Sequence, residues 1–307
     1  MQTHAVISCF QSAESWSILS DIEQSIKAKI EAAGVPLKDW DIQINYGIKT
    51  GFNDAFIINS AKRNIILDAC QSNDERQRTA EIIRPILRGR DIKRYSYVFA
   101  DQYIIATFPA KQYNIDDYPA LKDYLLAIGI ERLEQSGKEY VINGERIKAR
   151  KKTNNKWFET QDSISYWDLL SQPKIVWGEI SDKTKFCLDR EGQYVPEATT
   201  FMLSGEKLTL LLAFLNCSVS EYMFSTIGTT TGVGTVRWKK FKIEQLFVPR
   251  NIDEDTAKAI EAQCERIISI TSHRGSSPEE EGILNSLIYR LYGLSDSEIQ
   301  YIENQVR

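Results

Sequence analysis

The chain has little of what many active sites are made from. Its 307 residues hold only two histidines, His4 and His273. One stands near the N-terminus and the other in a polar stretch, which disfavours histidine-based catalysis and a zinc site. The five cysteines, Cys9, Cys70, Cys187, Cys217 and Cys264, are odd in number and scattered. They offer neither metal-type spacing nor a disulfide framework, and read as reduced thiols in a cytoplasm. No apolar run approaches the roughly 20 residues of a membrane span. The opening residues, MQTHAVISCFQS, lack the basic start and long apolar core of a signal peptide. No membrane partner is expected. P-loop, GxGxxG and GxSxG patterns are also missing.

What is present is an uneven spread of charge beneath a net of −4. Residues 251–307 hold eleven acids against five bases, a net of −6, which leaves +2 for residues 1–250. In that part the bases cluster. Residues 84–94 hold Arg84, Arg88, Arg90, Lys93 and Arg94 against Asp91. Residues 144–158 hold Arg146, Lys148, Arg150, Lys151, Lys152 and Lys156 against Glu145. Residues 237–242 hold Arg237, Lys239, Lys240 and Lys242 with no acid. Phosphate binding depends on such local stripes more than on net charge. Each stripe, taken alone, is equally readable as a solvated face.

Periodicity predicts an amphipathic helix over 18–33, with Ile18, Ile22, Ile26 and Ile30 at four-residue spacing, stopped by Gly34 and Pro36. The stretch INYGIKTGFNDAFIIN (44–59) reads as a strand, a glycine loop and a second strand. A capped helix over 72–87 should end or kink at Pro85. A helix is predicted over 118–133, and the basic stretch after Gly137 reads as a loop or hairpin excursion. PKIVWGE (173–179) reads as a buried strand, the most apolar run (208–224) as one buried helix, and KFKIEQLFVP as a short strand. A further helix is predicted over 253–271, followed by a linker, RGSSPEEEG. The tail reads as two helices broken at Gly293, the second opened by a Ser295/Glu298 capping box.

Catalytic motifs remain missing on closer search. The Asn/Asp-Pro-Pro-aromatic motif by which DNA amino-methyltransferases hold a flipped base is absent, as is a glycine-rich strand–loop suited to S-adenosylmethionine. The nearest approach to a metal-dependent nuclease is Asp91-Ile92-Lys93 with Glu81 upstream, and a D-x-K tripeptide is common by chance.

Several blocks then resemble, in order, the TaqI-like target-recognition (specificity) domains of type II restriction–modification enzymes and adenine-specific DNA methyltransferases. YGIKTGFNDAFIIN is similar to the family's GIKTG-x-N-[DE]-AF signature, with LKDW just upstream. IIRPILRGRDIKRY (82–95), KIVWGEIS (174–181), LLLAFLNCSVSEYMF (210–224), the glycine loop and strand of 228–249, and LIYRLYGLSDSEIQYIE (287–303) follow. FVPR stands where IPIP is commoner. The methyltransferase domain that precedes this region in the family is not in the sequence, nor is a nuclease domain. The expectation is a fragment of a larger enzyme or a stand-alone specificity protein.

The resemblance implies an α+β fold: a mixed or antiparallel β-sheet recognition domain with packed helices and a helical C-terminal part. The implied organisation is a helical connector (1–36), a target-recognition domain (37–250) and a C-terminal helical tail (251–307). It implies recognition of double-stranded DNA for a methyltransferase, and possibly a nuclease, in a partner domain or subunit. S-adenosylmethionine is expected only in that partner, and this chain alone is expected to be non-catalytic. Two alternatives stand beside it: a cryptic metal-dependent nuclease around Asp91 and Lys93, and a non-DNA module docking a methyltransferase subunit. For DNA contact the candidates are Lys49 and Thr50 at the glycine turn, and Arg88, Arg90 and Lys93. In the basic excursion they are Arg146, Lys148, Arg150, Lys151, Lys152, Asn154 and Lys156. Thr229, Thr230, Arg237 and Lys239 complete the set. The competing readings are that Gly47 and Gly51 only shape a strand junction, that Arg90 pairs with Asp91, and that the basic excursion is a solvated loop.

Overall fold

The computed structural model describes residues 19–227 and 235–306. Thr229 and Thr230, and residues 1–18 of the proposed connector, lie outside the described residues. The fold is α+β, as expected. A four-stranded antiparallel sheet is ordered Phe186–Asp189, Lys174–Gly178, Thr200–Gly205, Ile42–Tyr46. The strand Lys174–Gly178 is buried along its whole length, which explains a near-continuous apolar run instead of an alternating one. A second sheet is ordered Val195–Pro196, Ile83–Leu87, Tyr103–Ile105, Ile57–Ile58, and its first pair is parallel. A bridge between Ile48 and Glu197 ties the two sheets together.

One large core lies between the antiparallel sheet and the helices. Ile26 and Ile30 enter it from helix Asp21–Ala33, and Trp177, Phe201 and Leu203 from the sheet. Ile260, Ile267, Leu284 and Ile288 enter it from the C-terminal helices. The segments on either side of residues 36 and 250 therefore share a core, and strands Val35–Pro36 and Phe247–Val248 pair across those positions. A second core, with Phe56, Ile66, Ile82, Leu121 and Leu133, supports the mixed sheet. No single helix among the described residues is long and apolar enough to cross a membrane.

Several elements differ from the sequence-based expectation, each for a local reason. After the glycine loop, the expected strand is a helical turn, Asn53–Phe56, and then only Ile57–Ile58 extended. The predicted helix 118–133 is Pro119–Leu126 and Ile130–Leu133, separated at Gly129, whose φ of +106° ends helical geometry. The apolar run forms two helices, Leu208–Asn216 and Ser218–Ile227, bent by 64°. At the bend, the Asn216 carboxamide donates to the Phe186 carbonyl at 2.9 Å and accepts from its N–H at 3.1 Å. KFKIEQLFVP is a helical turn, Lys240–Ile243, before its two-residue strand. The supposed linker in its second half opens helix Pro278–Leu291, with proline at the first turn and three glutamates favoured by the helix dipole. The helix Asn73–Ile82 stops before Pro85, and its Ser72 cap accepts from the Glu75 N–H.

The capping box at Ser295 is present and carries more than a cap. Glu298 accepts from the Ser295 N–H at 2.7 Å, from Ser25 Oγ at 2.7 Å and from Lys29 Nζ at 2.6 Å. It thereby joins the last helix to the first. Burial alone would raise its pKa, but these donors outweigh burial and hold the carboxyl at about 2. A carboxylate depressed on folding stabilises fully above its unfolded pKa, and that contribution is lost as pH falls through the folded value. The depression corresponds to on the order of 3 kcal/mol. Urea titrations from pH 5 to pH 2 should show wild-type stability falling more steeply than that of Glu298→Gln. Parallel pH profiles for the two proteins would refute this anchor.

Candidate nucleic-acid interface

Blocks far apart in sequence meet around one open cleft of about 820 Å³. Asn53 and Asp54 come from the glycine-loop segment, Arg88 to Arg90, Ile92 and Lys93 from the basic block and Gly178 to Asp182 from the end of the buried strand. Ile57, Gln102, Lys185, Glu197 to Thr199 and Thr235 complete the wall. The glycines explain how these segments come so close. A Cβ on Gly47 would lie 1.9 Å from the Glu197 carbonyl oxygen, and one on Gly178 would lie 3.1 Å from Gly89 Cα. A side chain is excluded at the first crossing, and at the second it would press the Gly89 backbone away by a few tenths of an ångström. The Gly89 N–H donates to Thr199 Oγ1 at 3.1 Å, and Thr199 donates in turn to Glu197 Oε2 at 2.7 Å.

The basic block divides into structural and free cations. Arg88 donates from its Nε and Nη2 to the two Asp91 oxygens, both at 2.9 Å, and its own N–H also meets Asp91. The expected Arg90–Asp91 pair is therefore an Arg88–Asp91 pair, and Arg88 leaves the set of contacts because its fork closes the 3-10 turn Gly89–Asp91. The hydrogen bonds from Arg88 outweigh burial and lower the Asp91 pKa. With both carboxylate oxygens engaged and Glu81 lining a different cleft, the constellation needed for a nuclease at Asp91 is not assembled. Arg90 and Lys93 are exposed and form no ion pair among the described residues. Arg94 turns the other way, towards Thr184, Glu221 and Glu281, and fastens the block to the C-terminal helices.

A second groove, about 450 Å³, adjoins the glycine loop at Gly51 and Phe52. Arg132, Arg146, Lys148, Arg150 and Lys151 line it, with no acid. The first cleft, by contrast, balances Arg88, Arg90, Lys93 and Lys185 against Asp54, Glu179, Asp182 and Glu197. The basic excursion is a hairpin, Glu139–Ile142 with Glu145–Lys148. Its two-residue turn, Asn143–Gly144, has positive φ at both positions, the arrangement that suits a tight hairpin.

Arg150 is a correction. It is 4% exposed, and its guanidinium donates to the carbonyls of Leu133 (2.8 Å), Thr50 (2.9 Å), Glu159 (2.7 Å) and Trp157 (2.6 Å). Burial lowers its pKa to about 10, which still leaves it charged at neutral pH. It is the clasp of the hairpin root, and is too occupied to meet a phosphate. Thr50 is a second correction: it is 1% exposed, and its hydroxyl donates to Asn53 Oδ1 at 2.7 Å and accepts from the Phe52 N–H. Lys49 stays exposed, its backbone held by Asp162. Lys151, Lys152 and Asn154 are exposed. Lys156 donates to the Tyr113 carbonyl at 3.3 Å. Arg237 pairs with Glu179 at 2.9 Å, and Lys239 is half-buried at the start of the turn Lys240–Ile243.

The sequence reading passed over Asn53, Gln102, Arg132, Lys185 and Thr199, which also line the two grooves. For Asn53 the signal was its place inside the quoted signature. Arg132 and Lys185 are isolated cations, and only the folding of the chain places them beside the clusters.

Residues 84–248 match the TaqI-like C-terminal specificity domain. The type II methyltransferase M.PaeR7I of Pseudomonas aeruginosa is 23% identical over 293 residues, covering 93% of this chain and 44% of that protein. The chain thus spans less than half the length of that relative. Among solved structures, the type IIL restriction–modification enzyme MmeI in complex with DNA superposes with a TM-score of 0.60 at 14% identity. That match covers 87% of this chain and 35% of MmeI. The type IIG restriction endonuclease BpuSI gives a TM-score of 0.51 at 11% identity, covering 89% and 34%. Both likenesses concern the fold. Since the matched residues make up more than half of the sequence, this chain belongs to the TaqI-like C-terminal specificity domain family.

Proposed function

We propose that this chain is the DNA target-recognition part of a restriction–modification enzyme, binding duplex DNA for a methyltransferase or endonuclease domain or subunit outside this sequence. The observation that carries the reading is the convergence of the signature blocks on one cleft, beside a groove whose charged lining is entirely basic. In this reading Arg90, Lys93, Arg146, Lys148, Lys151 and Lys152 supply phosphate and base contacts. The buried glycine crossings and the Arg88–Asp91 and Arg150 clasps hold them in place. Phosphate contacts fix register, and only contacts to base edges carry sequence information. Catalysis and S-adenosylmethionine belong to the partner. Extrusion of a target adenine into the partner's pocket would follow binding.

The test is duplex binding followed by fluorescence anisotropy at increasing salt. Each neutralised phosphate contributes a slope of about −0.9 in log K against log salt. Four or five contacts predict a fall in affinity of about 10²- to 10³-fold between 50 and 200 mM salt. An affinity flat across that range would refute the phosphate clamp.

A further inference from the structure

The hairpin 139–148 has a fixed root and a free tip. At the root, the Gly137 N–H donates to the Arg150 carbonyl and the Ala149 N–H to the Lys138 carbonyl, both at 2.9 Å. The Arg150 guanidinium clasps the segments beneath. At the tip, Asn143 and Gly144 are exposed, and nothing lies within 4 Å of where a Gly144 Cβ would stand. In the ladder, Val141 opposes Arg146 and Glu139 opposes Lys148. Opposed residues share a face, so one face of the ribbon presents these four side chains, all exposed. Val141 is 72% exposed, the most exposed large apolar side chain among the described residues.

We infer that this hairpin enters a DNA major groove and reads bases through Val141 and Arg146; the inference rests on the DNA-recognition reading above. The dimensions agree. Four paired residues at about 3.3 Å each carry the tip about 13 Å from its root. A major groove is about 12 Å wide and 8.5 Å deep and admits a two-stranded ribbon. The chemistry of the face also agrees. A ribbon that touched only phosphates would gain nothing from a solvent-facing valine beside Arg146, and Glu139, on the same face, lies nearer the root opposite Lys148. Against a groove floor, an aliphatic side chain meets the thymine methyl, and an arginine donates twice to guanine O6 and N7. Lys148 and Lys151, nearer the root, meet the phosphates flanking the groove.

The experiment is selection from randomised duplex DNA with the full chain and with Arg146→Ala, Val141→Ala and Lys151→Ala, after thermal melts establish that these surface changes leave folding intact. The wild type should enrich a motif. Arg146→Ala should lose preference for guanine at one position, with affinity for the wild-type motif falling on the order of 10- to 100-fold. Val141→Ala should relax a thymine position. Lys151→Ala should retain the motif and bind every sequence more weakly. Enrichment of the unchanged motif by both Arg146→Ala and Val141→Ala overturns the inference. A wild type that binds duplex but enriches nothing also overturns it, while leaving DNA binding in place. A wild type that binds no duplex at all overturns the recognition reading itself.

Discussion

Removing the Asp189 carboxylate is expected to cost about 3–5 kcal/mol of folding stability, the penalty for stranding a charge inside a protein. Its partner, Lys174, opens the central buried strand and is fully buried. The ammonium donates to Asp189 Oδ2 at 2.7 Å, to the Leu170 carbonyl at 3.0 Å and to the Gln172 carbonyl at 3.3 Å. Asp189 also accepts from the N–H groups of Gln193 and Tyr194. Asp189→Ala leaves the lysine charge with neutral acceptors only and two amides unpaired. Burial already pulls the Lys174 pKa down, and the carboxylate is what opposes that pull. Adding Lys174→Met to Asp189→Ala removes the orphaned charge and should recover a large part of the loss. Chemical denaturation of both single variants and the double variant completes the cycle. A loss below about 1 kcal/mol in Asp189→Ala would mean that the ammonium reaches water, contrary to its full burial.

The second large effect is expected at Arg150. Arg150→Met keeps bulk and removes five possible donors, leaving the carbonyls of Thr50, Leu133, Trp157 and Glu159 without their charged partner. Hydrogen bonds to charged groups are worth about 1.5–3 kcal/mol each and are not additive, so a total of about 3–5 kcal/mol is expected. Arg150→Lys should restore only part, because a single ammonium cannot span four acceptors. The loss has an address. Amide exchange should accelerate at Gly137 and Ala149, at the hairpin root, while the strand Lys174–Gly178 keeps its protection. Unchanged exchange at the root, together with near wild-type stability, would return Arg150 to the solvent-facing cations among which its sequence neighbours place it.

Those two residues also show where sequence reading succeeds and where it stops. The strand PKIVWGE was legible because a run buried on both faces reads as continuous apolar sequence. The cap at Ser295 was legible because its partner lies three residues away. The burial of Arg150 was not, since nothing in KARKK separates the third residue from the others. Its acceptors lie up to 100 residues away, at Thr50. Likewise Arg88 and Arg90 are equivalent around Asp91 on paper, and the tight turn at Gly89 decides that the earlier one closes back. The 64° bend in the apolar run depended on a bond from Asn216 to an edge strand that periodicity does not contain. Residues of several family blocks line the first cleft, a meeting that their order in the sequence does not reveal. Within those blocks Thr50, Arg88 and Arg94 hold the scaffold.

The crossing of Gly89 over Gly178 carries one more consequence. Where main chain rests on main chain, the foundation of the cleft is held by backbone and by the Arg88 and Thr199 side chains, not by Arg90 or Lys93. Arg90 and Lys93 stand on that foundation and contribute no ion pair to it. Replacing these two exposed cations should therefore leave folding stability within about 0.5 kcal/mol of wild type, so the surface beside this crossing can be varied while the scaffold is kept.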